Sequence, residues 1–263
     1  GLAGLEAAIA LDMVTFLIAF LALALFIKLS GVSRESTQGK GTIRLAREGL
    51  SYLKSKPMIL YVILFMAGVN LISSAFEATL PGYIKPNPLG GNYVLGIVSS
   101  CSGIAMILGS LIFTKMPKPK DRVRVIYLSM LFSLGTENFI LAFSRSPVLW
   151  CIGQILGWIF VPVMSANQNV IMRNEIPVDL QGRVYACRNT LQFFTIPIGL
   201  FLGGFLVDNI CEPYMRDSSY ALSFFFGSGK GSGAAMVLFI LGVAGTVMCL
   251  VFGRILRKYS YSD

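Results

Sequence analysis

Seven stretches of this sequence, at about residues 7–29, 58–82, 92–115, 124–144, 147–173, 183–209 and 233–256, are each apolar over the roughly 20 residues that a helix needs to cross the hydrocarbon core of a bilayer. A water-soluble domain has no core large enough to hide that much apolar surface: 55% of the 263 residues are hydrophobic, 13% are charged, and the mean hydropathy is +0.71. The runs are continuously apolar and lack the alternation of barrel strands. The expected fold class is an all-α membrane protein of seven transmembrane helices.

The charges are placed as topology places them. The gap after the first span holds Arg34, Lys40, Arg44, Arg47, Lys54 and Lys56. Basic residues return in the third gap (Lys118, Lys120, Arg122), the fifth (Arg173, Arg183) and the tail (Arg254, Arg257, Lys258). The gaps between carry only Lys85, Arg145, Arg216 and Lys230. Cytoplasmic loops are enriched in Lys and Arg, so the N-terminal end of the chain is expected outside and the C-terminus inside, as an odd number of spans requires. The net charge of +9 is thus dispersed among short gaps, and nucleic acid is not an expected partner. The absence of His excludes imidazole base chemistry and His-ligated metals. With no paired Asp motif and no Gly-rich lysine loop, no catalytic residue, metal or cofactor is expected. The five cysteines are scattered and read as small core residues, with Cys211 the one expected to meet extracellular solvent.

Three regions follow. Residues 1–29 hold one helix. Residues 30–57 form a linker whose second part, with Ile43, Leu45, Leu50 and Leu53 among basic residues, predicts an amphipathic surface helix ending before Pro57. Residues 58–263 supply six spans, which divide topologically into two triplets of opposite orientation, the arithmetic of an inverted repeat. Residues 210–232, with Gly227, Gly229 and Gly231, read as a flexible outer loop. Gly1 in place of Met, with no charged region before the first apolar run, predicts a chain truncated at its N-terminus.

Ionisable groups within hydrocarbon are costly and face protein or water, which makes each a candidate for a coupling ion or substrate. Glu137 is the deepest acid, Glu77 lies toward the outer part of its span near Asn70, Ser73 and Ser74, and Asp12 lies in the first span. Glu137 and Glu77 are the coupling-ion candidates, open to a proton-exchanging reading, and each of the three reads alternatively as an acid near a helix end that is hydrated or hydrogen-bonded to a neighbour. Asn70, Gln154, Asn167 and Gln192 are candidates for lining a substrate cavity. Three successive amides, Asn167, Gln168 and Asn169, cannot all face one way. Arg188, Gln192 and Thr195 share one helix face, open to two readings: a cavity wall meeting an anionic or polar substrate, or an arginine that reaches lipid phosphate or pairs with Glu175 or Asp179. Gly199 and Gly203 form a small-xxx-small packing pair, and Gly103 and Gly109 thin the third span. Pro81, Pro162 and Pro197 predict kinks. Trp150, Trp158, Phe193 and Phe194 are expected to face lipid or the interfacial belt, or else to line an apolar cavity.

Residues 180–208, LQGRVYACRNTLQFFTIPIGLFLGGFLVD, in which Gly182, Arg183 and Val184 precede a helix with Pro-x-Gly and paired glycines, and residues 10–20, ALDMVTFLIAF, together resemble the macrolide-efflux and enterobactin-exporter branch of the major facilitator superfamily. The resemblance implies that this chain is the C-terminal part of a twelve-helix transporter, from its sixth helix to its twelfth. The family's basic loop motif is degenerate here: Phe113 stands where an acid is expected from Gly109, and residues 116–123 keep the basic charge with a displaced Asp121–Arg122. The implied function is secondary active transport, a proton-coupled multidrug antiporter exporting amphipathic molecules such as macrolides or siderophores across a plasma or inner membrane. The implied partners are the small-molecule substrate, protons, the bilayer and the missing N-terminal half. The alternative is a seven-helix receptor-like or scaffold protein without transport activity.

Overall fold

The computed structural model describes residues 5–26, 42–216 and 220–260, and all its regular elements are helical. Helix α1 (Leu5–Phe26) belongs to one compact unit, residues 1–44. The Thr15 hydroxyl donates back to the Leu11 and Asp12 carbonyls, which keeps it satisfied inside an apolar helix. Residues 27–41, with the first part of the expected linker, lie outside the described residues, as does the side chain of Ile43.

The second unit, residues 45–263, holds the rest. Helix α2 spans Thr42–Ser55, α3 Pro57–Ile84, α4 Asn92–Lys115 and α5 Arg122–Phe143. The next membrane-length segment is two helices, α6 (Pro147–Trp158) and α7 (Val161–Glu175). The following one comprises α8 (Val178–Phe193), α9 (Thr195–Phe205), a π-helical stretch Leu206–Cys211 and α10 (Glu212–Arg216). Helix α11 (Tyr220–Phe226) and α12 (Ser232–Ser260) complete the unit. Among the described residues, six segments, 57–84, 92–115, 122–143, 147–175, 178–216 and 232–259, are long and apolar enough to cross a membrane.

The two interrupted segments break where proline chemistry requires. A proline lacks the N–H that would reach the carbonyl four residues back, and its ring clashes with that carbonyl. Four residues before Pro162 is Trp158, and four before Pro197 is Phe193, which are the last residues of α6 and α8. Pro81 lies in the final turn of α3, so the helix ends soon after it without a break.

Helix α3 packs against α9 and α12, α5 against α12 and the α6–α7 pair, α4 against α6 and α7, and α8 against α3. Two of these seams depend on missing side chains. A Cβ on Gly199 or Gly203 of α9 would lie 2.3 Å from the carbonyl oxygen of Leu71 or Ala75 on α3, so backbones touch there. Gly109 of α4 meets the Ile159 carbonyl at the break between α6 and α7, whereas Gly103 faces open space.

The amphipathic helix α2 docks on the bundle. Leu53 is completely buried among Ile59, Ile63, Met172, Ile176 and Val184, from α3, the end of α7 and α8. The Arg183 guanidinium of α8 donates to the Glu48 carboxylate at 2.7 Å, and the Tyr52 hydroxyl donates to the Glu175 carbonyl at 2.7 Å. Burial, then the negative charges of Glu175 and Asp179, hold the Tyr52 hydroxyl above its ordinary value.

The opposite end of the bundle corrects the expected flexible loop. Where 210–232 is described, it is mostly helical, and Cys211 is buried instead of solvent-facing. The Glu212 carboxylate accepts from the backbone N–H groups of Gly231 and Gly233, each at 3.0 Å, so an acid of α10 caps α12. Gly231 turns with φ +96°, a conformation other residues rarely adopt, and delivers its N–H to that carboxylate. Trp150 is also corrected: it is fully buried, its Nε1–H donating to the Tyr83 oxygen at 3.2 Å while Tyr83 donates to the Ser144 carbonyl.

Candidate functional site

Helices α3, α5 and α6–α7, with Ile196 of α9, line a cavity of about 190 Å³. Its polar lining comes from Asn70, Ser73, Ser74 and Glu77 on α3, Ser133, Glu137 and Asn138 on α5, and Trp158 at the end of α6. The spacing explains the grouping: Ser133 and Glu137 are one turn apart on α5, and Asn70, Ser73, Ser74 and Glu77 recur at helical intervals on α3.

Glu137 is 5% exposed. The Trp158 Nε1–H donates to its Oε1 at 3.0 Å. Gly157 leaves the room it occupies, since a Cβ there would come within 2.5 Å of the Glu137 carboxyl. The Ser133 hydroxyl donates to the Gly157 carbonyl at 2.5 Å, tying α5 to the last turn of α6 beside the acid. Among the described residues no Lys or Arg lines this cavity. Trp158 is therefore a partner of the buried acid, not a residue of the lipid-facing belt.

A second cavity of about 270 Å³ lies between α3, α4 and α6 and shares Phe76, Glu77 and Trp158 with the first. Gln154, one turn before Trp158, lines it with Ser99 and Ser102. Exposed Glu77 thus borders both spaces, while Glu137 belongs to the inner one.

The remaining candidates fall elsewhere. Asn70 joins Gln192 to the cavity wall, its Nδ2–H donating to the Gln192 backbone carbonyl at 3.0 Å. Thr195 ties the start of α9 to the Ala67 carbonyl of α3. Asn167 is completely buried, accepts from the Arg122 guanidinium at 3.0 Å and donates to the Val163 carbonyl, linking α5 to α7. Asp121 caps α5 by accepting from the Arg124 N–H at 2.8 Å. Gly182 is exposed with nothing near its Cβ position, and Arg183 belongs to the α2 contact. Arg188 reaches three amide oxygens, of Gln192, Gln168 and Asn169, rather than Glu175 or Asp179.

Ser133 and Asn138 are polar cavity residues that sequence reasoning did not place there, and Trp158, open to a lipid-facing or a cavity-lining reading, was not tied to Glu137. The one available signal was spacing: Trp158 follows Gln154 by one turn, and Ser133 precedes Glu137 by one turn. Chemically, the cavity offers two carboxyls, amides and hydroxyls, which bind polar groups and exchange protons.

Six membrane-length helices, with large apolar side chains such as Ile107, Leu111, Phe201 and Leu250 facing outward, define the class: a multi-pass α-helical membrane protein. No protein-family profile, curated protein or solved structure matches the chain.

Proposed function

We propose that this chain forms the sixth to twelfth helices of a secondary active transporter of the major-facilitator type. On this reading α1 is the last helix of the N-terminal half, α2 the cytoplasmic connection, and the six long segments the C-terminal half. It is an antiporter that exports amphipathic molecules, macrolide-like compounds or siderophores, across a plasma or inner membrane in exchange for protons. The N-terminal end lies outside and the C-terminus inside.

The observation that carries the proposal is Glu137, a carboxyl held in a polar cavity between three helical segments with an indole N–H as its partner. Intramembrane acids are expensive, and their usual return is a proton or ion pathway. Gaining or losing charge there alters both the hydration of the cavity and its grip on α6, which is how proton binding couples to helix movement. The helix pairing supports the same reading. Exchanging α3 with α6–α7, α4 with α8–α9 and α5 with α12 turns the α3/α9 pair into α4/α6, α3/α12 into α5/α6–α7, and maps α5/α12 onto itself. Two triplets related by a pseudo-two-fold axis have that property.

The test is transport by the protein from its complete reading frame, reconstituted into liposomes containing a pH-sensitive dye and challenged with a fluorescent macrolide. The wild type moves protons only when the macrolide is present, and Glu137→Gln loses this movement while keeping its thermal unfolding profile. Undiminished coupled movement in Glu137→Gln would refute the assignment.

A further inference from the structure

Beside the cavity, toward the end of the bundle that carries α2, Arg188 stands among side chains that leave an unusual set of donors. Its Nε–H donates to Gln192 Oε1 at 3.3 Å, and its two terminal nitrogens donate to Asn169 Oδ1 and Gln168 Oε1 at 3.4 Å each. The Tyr185 ring lies 5.7 Å below the guanidinium carbon. These bonds are long for a guanidinium, whose bonds to anions run about 2.7–2.9 Å. Among the described residues no carboxylate pairs with Arg188.

Arginine only donates, so both glutamines must turn their oxygens toward it. Their NH2 groups, on the same carboxamide carbon, are then left beside the guanidinium. Gln168 and Gln192 are each 3% exposed, and neither Nε2 has an acceptor. Buried amide donors without acceptors are costly and uncommon. The cluster's unsatisfied buried groups are both donors, and its net charge is positive. The complement is an anion with several acceptor oxygens.

The location suits a ligand of the cavity. Gln168 follows Met164 by one turn on α7, and Gln192 precedes Ile196 by one turn across the α8–α9 junction; Met164 and Ile196 both line the cavity. Asn70, another lining residue, donates to the Gln192 backbone. The donor cluster therefore lies about one helical turn, roughly 5 Å, from the Glu137 cavity.

We propose that this cluster receives the anionic group, carboxylate or phosphate, of an amphipathic substrate. Arg188 takes the charge, Gln168 and Gln192 donate to its oxygens, and the apolar body lies in the cavity. The proposal rests on the transport reading and adds the sign of the substrate's charge. A lipid headgroup carries the same chemistry and is the competing source of the anion.

The experiment is equilibrium binding of 11-(dansylamino)undecanoic acid and of its methyl ester to the full-length protein in phosphatidylcholine nanodiscs. The acid is expected to bind about tenfold or more tightly than the ester, as one charge-assisted contact predicts. Arg188→Gln brings the two within about twofold, and Arg188→Lys, which keeps the charge without the fork, falls between them. Gln192→Glu, which supplies an internal anion, loses the preference by an independent route and keeps the test open if Arg188→Gln fails to fold. Arg183→Gln, at the α2 contact, keeps it. Equal binding of acid and ester by wild type, or a preference that survives both Arg188→Gln and Gln192→Glu, overturns the proposal. If phosphatidylglycerol displaces the acid but not the ester, the anion is a lipid headgroup and the substrate assignment is overturned. Failure here with intact Glu137-dependent proton movement leaves the transport reading standing; acid preference in a wild-type protein that moves no protons with the macrolide sinks the transport reading alone.

Discussion

Replacing Gly203 by Ala puts a methyl group 2.3 Å from the Ala75 carbonyl oxygen and 2.9 Å from that residue's Cα and carbonyl carbon. These are backbone atoms of a facing helix, which no rotamer change can move aside. Restoring ordinary contact at 3.4 Å requires α9 to retreat from α3 by about 1.1 Å, and Gly199, one turn earlier on the same seam, makes an equally close contact with Leu71. Overpacking of this kind costs roughly 1–3 kcal/mol, of which the better helix propensity of Ala recovers up to about 1. Gly204, its neighbour, has no atom within 4 Å of its Cβ position. There the same substitution brings only the propensity gain. The propensity gain is common to both, so Gly203→Ala should fall below Gly204→Ala by about 1–3 kcal/mol in equilibrium unfolding by SDS in mixed micelles. If Gly203→Ala proves as stable as Gly204→Ala, the backbone contact between α9 and α3 is not there and the seam has been misread.

Leu53→Ala should cost about 2–5 kcal/mol in the same assay, because the side chain is wholly enclosed; a change under roughly 0.5 would mean that α2 is not docked. Glu212→Gln weakens the cap on α12, with an expected loss of about 1–2 kcal/mol and faster amide exchange at Gly231 and Gly233. Tyr52 has a folded-state value raised above the ordinary 10.0, so its contribution is present at neutral pH and lost as pH rises through that raised value. Tyr52→Phe should accordingly lose less stability than wild type between neutral pH and pH above about 10 in melting curves.

The spans were readable because length and hydropathy alone decide whether a helix can cross a membrane. The breaks at Trp158 and Phe193 were half readable: Pro162 and Pro197 announce a disturbance, and counting four residues back gives the helix ends. The docking of α2 was not readable. Its amphipathic pattern says that Leu53 lies on an apolar face, but a bilayer surface and a protein surface accept that face equally. What decides is the pairing of Glu48 with Arg183 and of Tyr52 with Glu175, contacts more than 100 residues apart in sequence. The outer segment misled for a related reason: its glycines argued for a loose loop, while the acid that ties the turn to α12 comes from Glu212. At the candidate site, the depth of Glu137 in its span was legible. Its partner was not, because an indole N–H and an interfacial aromatic belt call for the same residue type.

The chain has two tryptophans, and the structure gives them opposite surroundings. Trp150 is sealed with Tyr83 and Ser144 and lines neither cavity, whereas Trp158 holds Glu137 directly. Indole emission responds to a neighbouring charge and to the strength of its N–H bond. The protein thus carries a built-in optical reporter: with Trp150 replaced by Phe, the remaining emission reads the ionic state of one buried carboxyl without any attached dye.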